Sequence, residues 1–442
     1  MSPLSKPVSS GNQAYQNALS QIKLATENEP VLRELKHLVD VDGAGSWPPR
    51  ATHRDTWPAV LRPYHDIYLE VMPYLATEDV ITDNEINTER RNSFRERVRR
   101  ALFERVDLPS VKDILCATEN KDNCEGILAP ASYNGFGACI ATMRHVYRWG
   151  VIPVVKVAQE EKIIDFPEEL NLPWPFICRR YGVTSKGGNV MTNYFCNFDE
   201  RERIVYEING ALSDLIRTAE YNFSHIFVVV ERLALPIYHE MAKSIIHYTR
   251  GNKHACLASL KAIVEQLPGL LRVFYKTLVE AQISPKVWMR YVQGPSGWGA
   301  GEMINGEYVE YDGLSGSHTP FFRVADAFLG LSPYFSEENM RRYIPESQRK
   351  LCQAIHEHGF REKAKEAGDG LIGIEIENML KQLRLFRATH RARIHKYLGV
   401  PAPERLIMTA GRSVLESEEI PEIDTAIKHL DGILEKRLKM TK

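Results

Sequence analysis

The chain has 442 residues, 44% of them apolar and 26% charged, enough apolar material for one large helical domain with a smaller one, or for two or three ordinary domains. Its formal net charge is -1, so no global basic field is available to hold nucleic acid or an anionic membrane. No run of about 18 apolar residues occurs, and seven scattered cysteines without a CxxC pair argue against a disulfide scaffold or a zinc cluster and fit a reducing cytoplasm.

Residues 1–12 are rich in Ser, Pro and Gly, lack a signal-peptide core and are expected as a flexible leader. Helical periodicity then dominates, with apolar residues at mixed three- and four-residue spacings over 57–76, 85–106, 134–148, 205–218, 223–248, 254–281, 345–358, 372–398 and 421–438. The basic run from Arg90 to Arg100 reads as a solvated helix face. Cys116 and Cys124 are expected as two free thiols. Three irregular stretches, 40–54, 165–200 and 293–320, separate the helices, and loops of such length inside a compact domain are often functional. The best strand candidate is Glu307 to Tyr311, where Val and Tyr alternate. The expected fold class is therefore all-α. A polar stretch at 199–220 suggests a small N-terminal domain over 13–214 joined to a large helical one over 215–442.

The segment 372–398 (IGIEIENMLKQLRLFRATHRARIHKYL) is the most informative. Ile376, Met379, Leu380, Leu383, Phe386, Ile394 and Tyr397 form one stripe, and His390 lies on it, four residues after Phe386 and four before Ile394. Lys381, Arg384, Arg387, Arg391 and Arg393 surround that stripe with positive charge. A neutral imidazole held by a rigid helix is the commonest protein ligand to heme iron, and nearby arginines suit heme propionates. The same pattern also describes a core histidine satisfied by a carbonyl or a carboxylate.

Several blocks, in order, resemble the indoleamine 2,3-dioxygenase family. These are SPKVW…SGW (284–298), YDGLSGSHTPFFRVADAFLGL (311–331), FSEENMRRYIPESQRKLCQAI (335–355), RATHRARIHKYL (387–398) and LIMTAGRSVLE (406–416). The resemblance covers roughly residues 134–416. It implies an all-α heme protein in which a small N-terminal domain caps a large heme-binding one. It implies heme b (iron protoporphyrin IX) as cofactor, with His390 as the proximal ligand, Arg387 and Asp326 paired at the heme edge, and Ser315, Gly316 and Ser317 in a Gly/Ser loop at the cofactor. The implied reaction inserts dioxygen across the 2,3-bond of tryptophan or a related indole to give an N-formylkynurenine-type product.

The same resemblance puts Phe223 over the substrate ring, Glu231 just after the distal helix segment, and Met191, Tyr194, Phe195 and Cys196 at the indole pocket, where such aromatics also suit plain core. Trp288, His318 and Thr409 are further substrate candidates. Two positions depart from the family. Phe227 stands where the family has a small serine, or related enzymes a histidine, with His225 two residues earlier. Gln293, or Val292, stands where the family has an arginine for the substrate carboxylate. A neutral amide cannot act as a bidentate clamp; Arg412 is a candidate substitute, and Arg290 is expected on another face. These departures keep open an altered substrate or altered heme chemistry, such as monooxygenation or rearrangement of a modified indole. A heme sensor without turnover, and a helical interaction protein without heme, also remain. GPSGWGAG lacks the Lys-Ser/Thr ending and preceding strand of a phosphate loop. The expected partners are a small indole and dioxygen, with no nucleic acid and no membrane. The oligomeric state is open, a monomer being compatible with the sequence.

Overall fold

A computed structural model describes residues 9–25, 28–51, 54–119, 128–398, 400, 402–406 and 423–441. Over these residues the chain is all-α, with a single two-stranded sheet. Two long helices, Asp214–Thr249 and Lys253–Thr277, form an antiparallel hairpin. Its turn is made by Gly251 at φ 75° and by Asn252, whose side chain accepts from the backbone N–H of Ala255 at 3.1 Å. Gly370–Leu398 packs along the second arm of the hairpin, and the C-terminal helix Ile423–Met440 packs along Gly370–Leu398.

Earlier in the chain, Pro130–Trp149 runs through the middle of the N-terminal part, and every residue from Ser132 to Trp149 is buried. Its buried arginines reach carbonyl groups on neighbouring segments. Arg144 donates to the carbonyl of Leu170 at 3.1 Å, and Arg148 to that of Trp298 at 3.0 Å. Buried side chains before and after the start of Asp214–Thr249 belong to one continuous core.

Three expectations need correction. The helix expected over 205–218 begins only at Asp214, because the backbone N–H groups of Ile208 and Asn209 donate to the Glu220 carboxylate at 2.7 and 2.8 Å and fold the preceding segment back as a turn. The stretch 293–320 is not wholly irregular: Ala300–Ile304 pairs antiparallel with Glu307–Tyr311, through Asn305 and Gly306 at φ 52° and 86°. Both angles suit the tight turn that an Asn-Gly pair favours. The first helix, Ser9–Leu24, starts inside the expected leader. No described helix is long and apolar enough to cross a membrane. Cys124, Thr409 and Arg412 lie outside the described residues.

Candidate functional site

A cavity of about 520 Å³ lies among the helix Gly370–Leu398, the helix Asp214–Thr249 and the loop 312–318. This is within the range of pockets that enclose small molecules. The helix Gly370–Leu398 reaches it through its apolar stripe. Met379, Leu380 and Leu383 anchor the upstream turns in the core, and Phe386, Arg387, His390, Arg393 and Tyr397 face the cavity downstream. Burying each such large apolar side chain contributes about 1.5–3 kcal/mol, so this helix is a stiff mount for whatever it presents.

The His390 ring is nearly parallel to that of Phe386, 5.9 Å between centroids and 12° apart. Phe386 is itself stacked on Phe322 at 5.0 Å and 19°, and lies 5.1 Å from Phe274. Burial, with the nearby Arg437 charge, pushes the imidazole pKa down to about 4, so the ring is neutral at physiological pH. Neither ring nitrogen has a hydrogen-bond partner among the described residues.

One edge of the cavity is cationic. Arg387 Nη2 donates to Asp326 Oδ1 at 2.5 Å, and Arg437 Nη2 lies 3.5 Å from Asp326 Oδ2. Asp326 sits on the amphipathic helix Pro320–Phe328. Ser315, Gly316, Ser317 and His318 also line the cavity. At Gly313 a Cβ would come within 2.5 Å of the Ser296 carbonyl oxygen and 2.6 Å of Gly297 Cα, so only glycine lets this loop press on the 296–297 backbone. His318 stacks on Tyr343 at 5.2 Å and 11°, its Nε2 faces Asn339 Oδ1 at 3.3 Å, and its buried Nδ1 has no partner among the described residues. Burial, and then the Arg323 charge, push its pKa down to about 3.

Another wall is aromatic. Phe227 lies flat on Tyr194 at 4.7 Å and 9°, and Phe223 stands edge-on to Phe227 at 5.5 Å and 79°. Trp288 continues the wall, 6.2 Å from Phe223 and 5.4 Å from Tyr397. The Ser296 hydroxyl donates to the Val292 carbonyl at 2.9 Å, which leaves the Tyr194 hydroxyl donating to Ser296 Oγ at 2.8 Å.

The cavity thus gathers His390, Arg387, Ser315, Gly316, Ser317, His318, Phe223, Phe227, Tyr194, Trp288 and Gln293, with Asp326 one contact behind. It does not gather His225, which lies on the other face of its helix. There His225 Nε2 pairs with Glu202 at 2.9 Å and the ring stacks on Tyr221 at 4.9 Å. Met191 and Phe195 are core residues, Phe195 lying 6.0 Å from Trp47. Cys196 is likewise buried, beside the Tyr181 hydroxyl at 3.8 Å. Glu231 is an internal acceptor, for Trp47 Nε1 at 2.9 Å, Tyr238 at 2.8 Å and the backbone N–H of Phe321 at 2.9 Å. Arg290 pairs with the buried Glu404 at 3.3 Å, away from the cavity. Gln293 does line it, and its Oε1 accepts from Arg405 Nη2 at 2.6 Å. Sequence reading missed Arg405 in that place, and it missed Arg437. Neither lies on an amphipathic stripe that points to the site, so only the tertiary fold brings them there.

A family model described as indoleamine 2,3-dioxygenase matches residues 137–429, a segment that holds nearly all of the cavity lining. No curated protein matches the chain.

Proposed function

Because this chain belongs to the indoleamine 2,3-dioxygenase family, whose activity is a heme-dependent oxygenation, we propose that it binds heme b through His390 and opens the indole ring of tryptophan or a close relative. The product class is that of N-formylkynurenine, both atoms of dioxygen entering across the 2,3-bond. One observation carries the reading: a neutral imidazole without a hydrogen-bond partner among the described residues faces a 520 Å³ cavity whose edge is lined with arginines. No CxxCH attachment sequence occurs, which fits a cofactor held without covalent bonds. The part before residue 215 then serves as the cap, contributing Tyr194, and the chain acts in the cytoplasm.

The residues fit such a cofactor in shape and charge. His390 supplies a lone pair, and the Phe386 ring lies nearly parallel beside it. Arg387 and Asp326 give the edge a hydrogen-bonded charge pair suited to carboxylates. Heme, when bound, supplies the activation of dioxygen. Phe223, Phe227 and Tyr194 offer a flat, water-excluding wall for an aromatic ring. The Tyr194 and Ser296 protons are committed to protein acceptors, so neither hydroxyl is a proton donor to substrate.

A second reading concerns the substrate and is favoured by Gln293 and Phe227. The amide at Gln293 brings no charge of its own, and Phe227 fills space that a serine would leave. An indole whose amino-acid end is modified, or one oxygenated or rearranged differently, suits such a wall. Incubating the reduced, heme-loaded protein with tryptophan and with carboxylate-free indoles under labelled dioxygen tests both readings. Two labelled oxygen atoms in a ring-opened tryptophan product support the first. One labelled atom, or turnover confined to the carboxylate-free indoles, supports the second, and no consumption of any indole refutes both.

A further inference from the structure

The helix Ile423–Met440 runs past residue 429, where the family match ends. Its Leu434 and Arg437 nevertheless line the cavity. We propose that Arg437 is a second guanidinium for a carboxylate of the cofactor, and that the C-terminal helix carrying it is a latch that retains the cofactor. This rests on the heme reading above.

Charge and geometry make the case. Arg387 is already oriented by the protein: Nη2 donates to Asp326 and Nη1 to the Thr441 hydroxyl. Arg437 is held more loosely. Its contact to Asp326 is 3.5 Å long, its guanidinium lies 4.3 Å over the Tyr334 ring, and its buried Nη1 has no hydrogen-bond partner among the described residues. Two guanidiniums therefore share the single carboxylate of Asp326. Each guanidinium is a cation, and one carboxylate between the two leaves a surplus positive charge at the cavity edge. Arg393, on the same wall, donates to the carbonyls of Tyr275 and Leu278 and adds charge without an acidic partner among the described residues. A buried guanidinium N–H without an acceptor is costly, and an anionic carboxylate entering the cavity is the group that relieves it.

The helix is also fastened to the element that carries His390. Arg384 Nε donates to the Thr441 carbonyl at 2.9 Å, Arg387 binds the Thr441 hydroxyl, and Arg391 Nε donates to Asp431 Oδ1 at 2.6 Å. Residues 384, 387 and 391 are spaced by three and four, hence on one face, and they flank His390. Release of a molecule held between His390 and Arg437 requires these fastenings to loosen.

The test measures transfer of the cofactor from the loaded full-length protein to excess apo-globin, followed by absorbance. It compares heme with its dimethyl ester, which has no free carboxylates. Wild type should release the ester at least about tenfold faster than heme, as expected when charge-assisted hydrogen bonds are lost. Arg437→Met should speed heme release about tenfold and ester release less than twofold, with Arg437→Lys in between. Equal acceleration of both cofactors by Arg437→Met, or equal release of both from wild type, overturns the proposal. Should Arg437→Met not fold, the wild-type comparison together with Arg437→Lys still decides. A protein that takes up neither cofactor overturns the heme reading as well. One that holds heme through His390 but shows no carboxylate dependence overturns this inference alone.

Discussion

Phe227 lies flat against Tyr194, their ring centroids 4.7 Å apart and their planes 9° from parallel. This stack joins the N-terminal part of the chain to the long helix Asp214–Thr249 and closes one wall of the cavity. Removing it tests what the wall does. Phe227→Ala should cost about 3 kcal/mol of stability, seen as a lower urea midpoint. It should also open the wall, so that ring-substituted indoles too bulky for wild type perturb the heme spectrum of the variant. An unchanged range of indoles would show that Phe227 is core alone.

Asp326 stands between Arg387 and Arg437. With the Asp326 and Arg387 side chains about nine-tenths buried, Asp326→Asn leaves two guanidiniums without a counter-charge. Breaking such a pair costs about 3–5 kcal/mol, so the heme-free variant should melt well below heme-free wild type. Loading heme should recover part of that loss. Melting both forms of both proteins checks this, and a deficit that is equal with and without heme would contradict it.

Glu231 receives three hydrogen bonds, from Trp47, Tyr238 and the backbone of Phe321. Glu231→Gln puts an amide N–H₂ against at least one of these donors and should cost about 1–3 kcal/mol. Burial also pushes the carboxyl pKa up to about 7 from an ordinary 4.5. The sign follows from linkage: with the folded-state value above the unfolded one, its contribution to stability is complete below pH 4.5 and is lost as pH rises through 7. Glutamine has no such dependence, so the gap between wild type and variant should narrow from pH 4.5 to 7. Urea midpoints across that range are the measurement, and a widening gap would be the wrong sign.

Gln293 and Arg405 test the substrate reading. Gln293→Arg alone would set two guanidiniums side by side, since Arg405 Nη2 is 2.6 Å from the amide oxygen. The exchange Gln293→Arg with Arg405→Gln moves the charge to the cavity face instead. Spectral titration should show tryptophan binding at least about tenfold tighter to the exchanged protein, with indoles lacking a carboxylate unaffected. Equal gains for both ligands would mean that the change is not recognition of a carboxylate.

Much of this architecture is readable from periodicity. The His390 helix was, because one stripe of Leu, Met and Phe runs through four turns into the histidine, and a buried face leaves that signature in sequence. Asp326 and Arg387, 61 residues apart, were readable only through family resemblance, since no local rule links an acid on one helix to a base on another. His225 misled because a histidine two residues from Phe223 and Phe227 looks close in sequence, yet on a helix it faces the other way. The hairpin at 300–311 was half seen: Val and Tyr alternation marked one strand, while its partner AGEMI has no such pattern and only the Asn-Gly turn betrays it. Arg405 and Arg437 left no signal, for their place depends on long-range packing.

The central claim is that His390 is the protein ligand of a heme. The direct measurement is the absorption spectrum of heme-loaded wild type and His390→Gly, with and without added imidazole. The account predicts a strong Soret band in wild type, its loss or marked shift in the variant, and recovery of the wild-type band when imidazole fills the space left by the side chain. An identical heme spectrum and affinity in wild type and His390→Gly would contradict it.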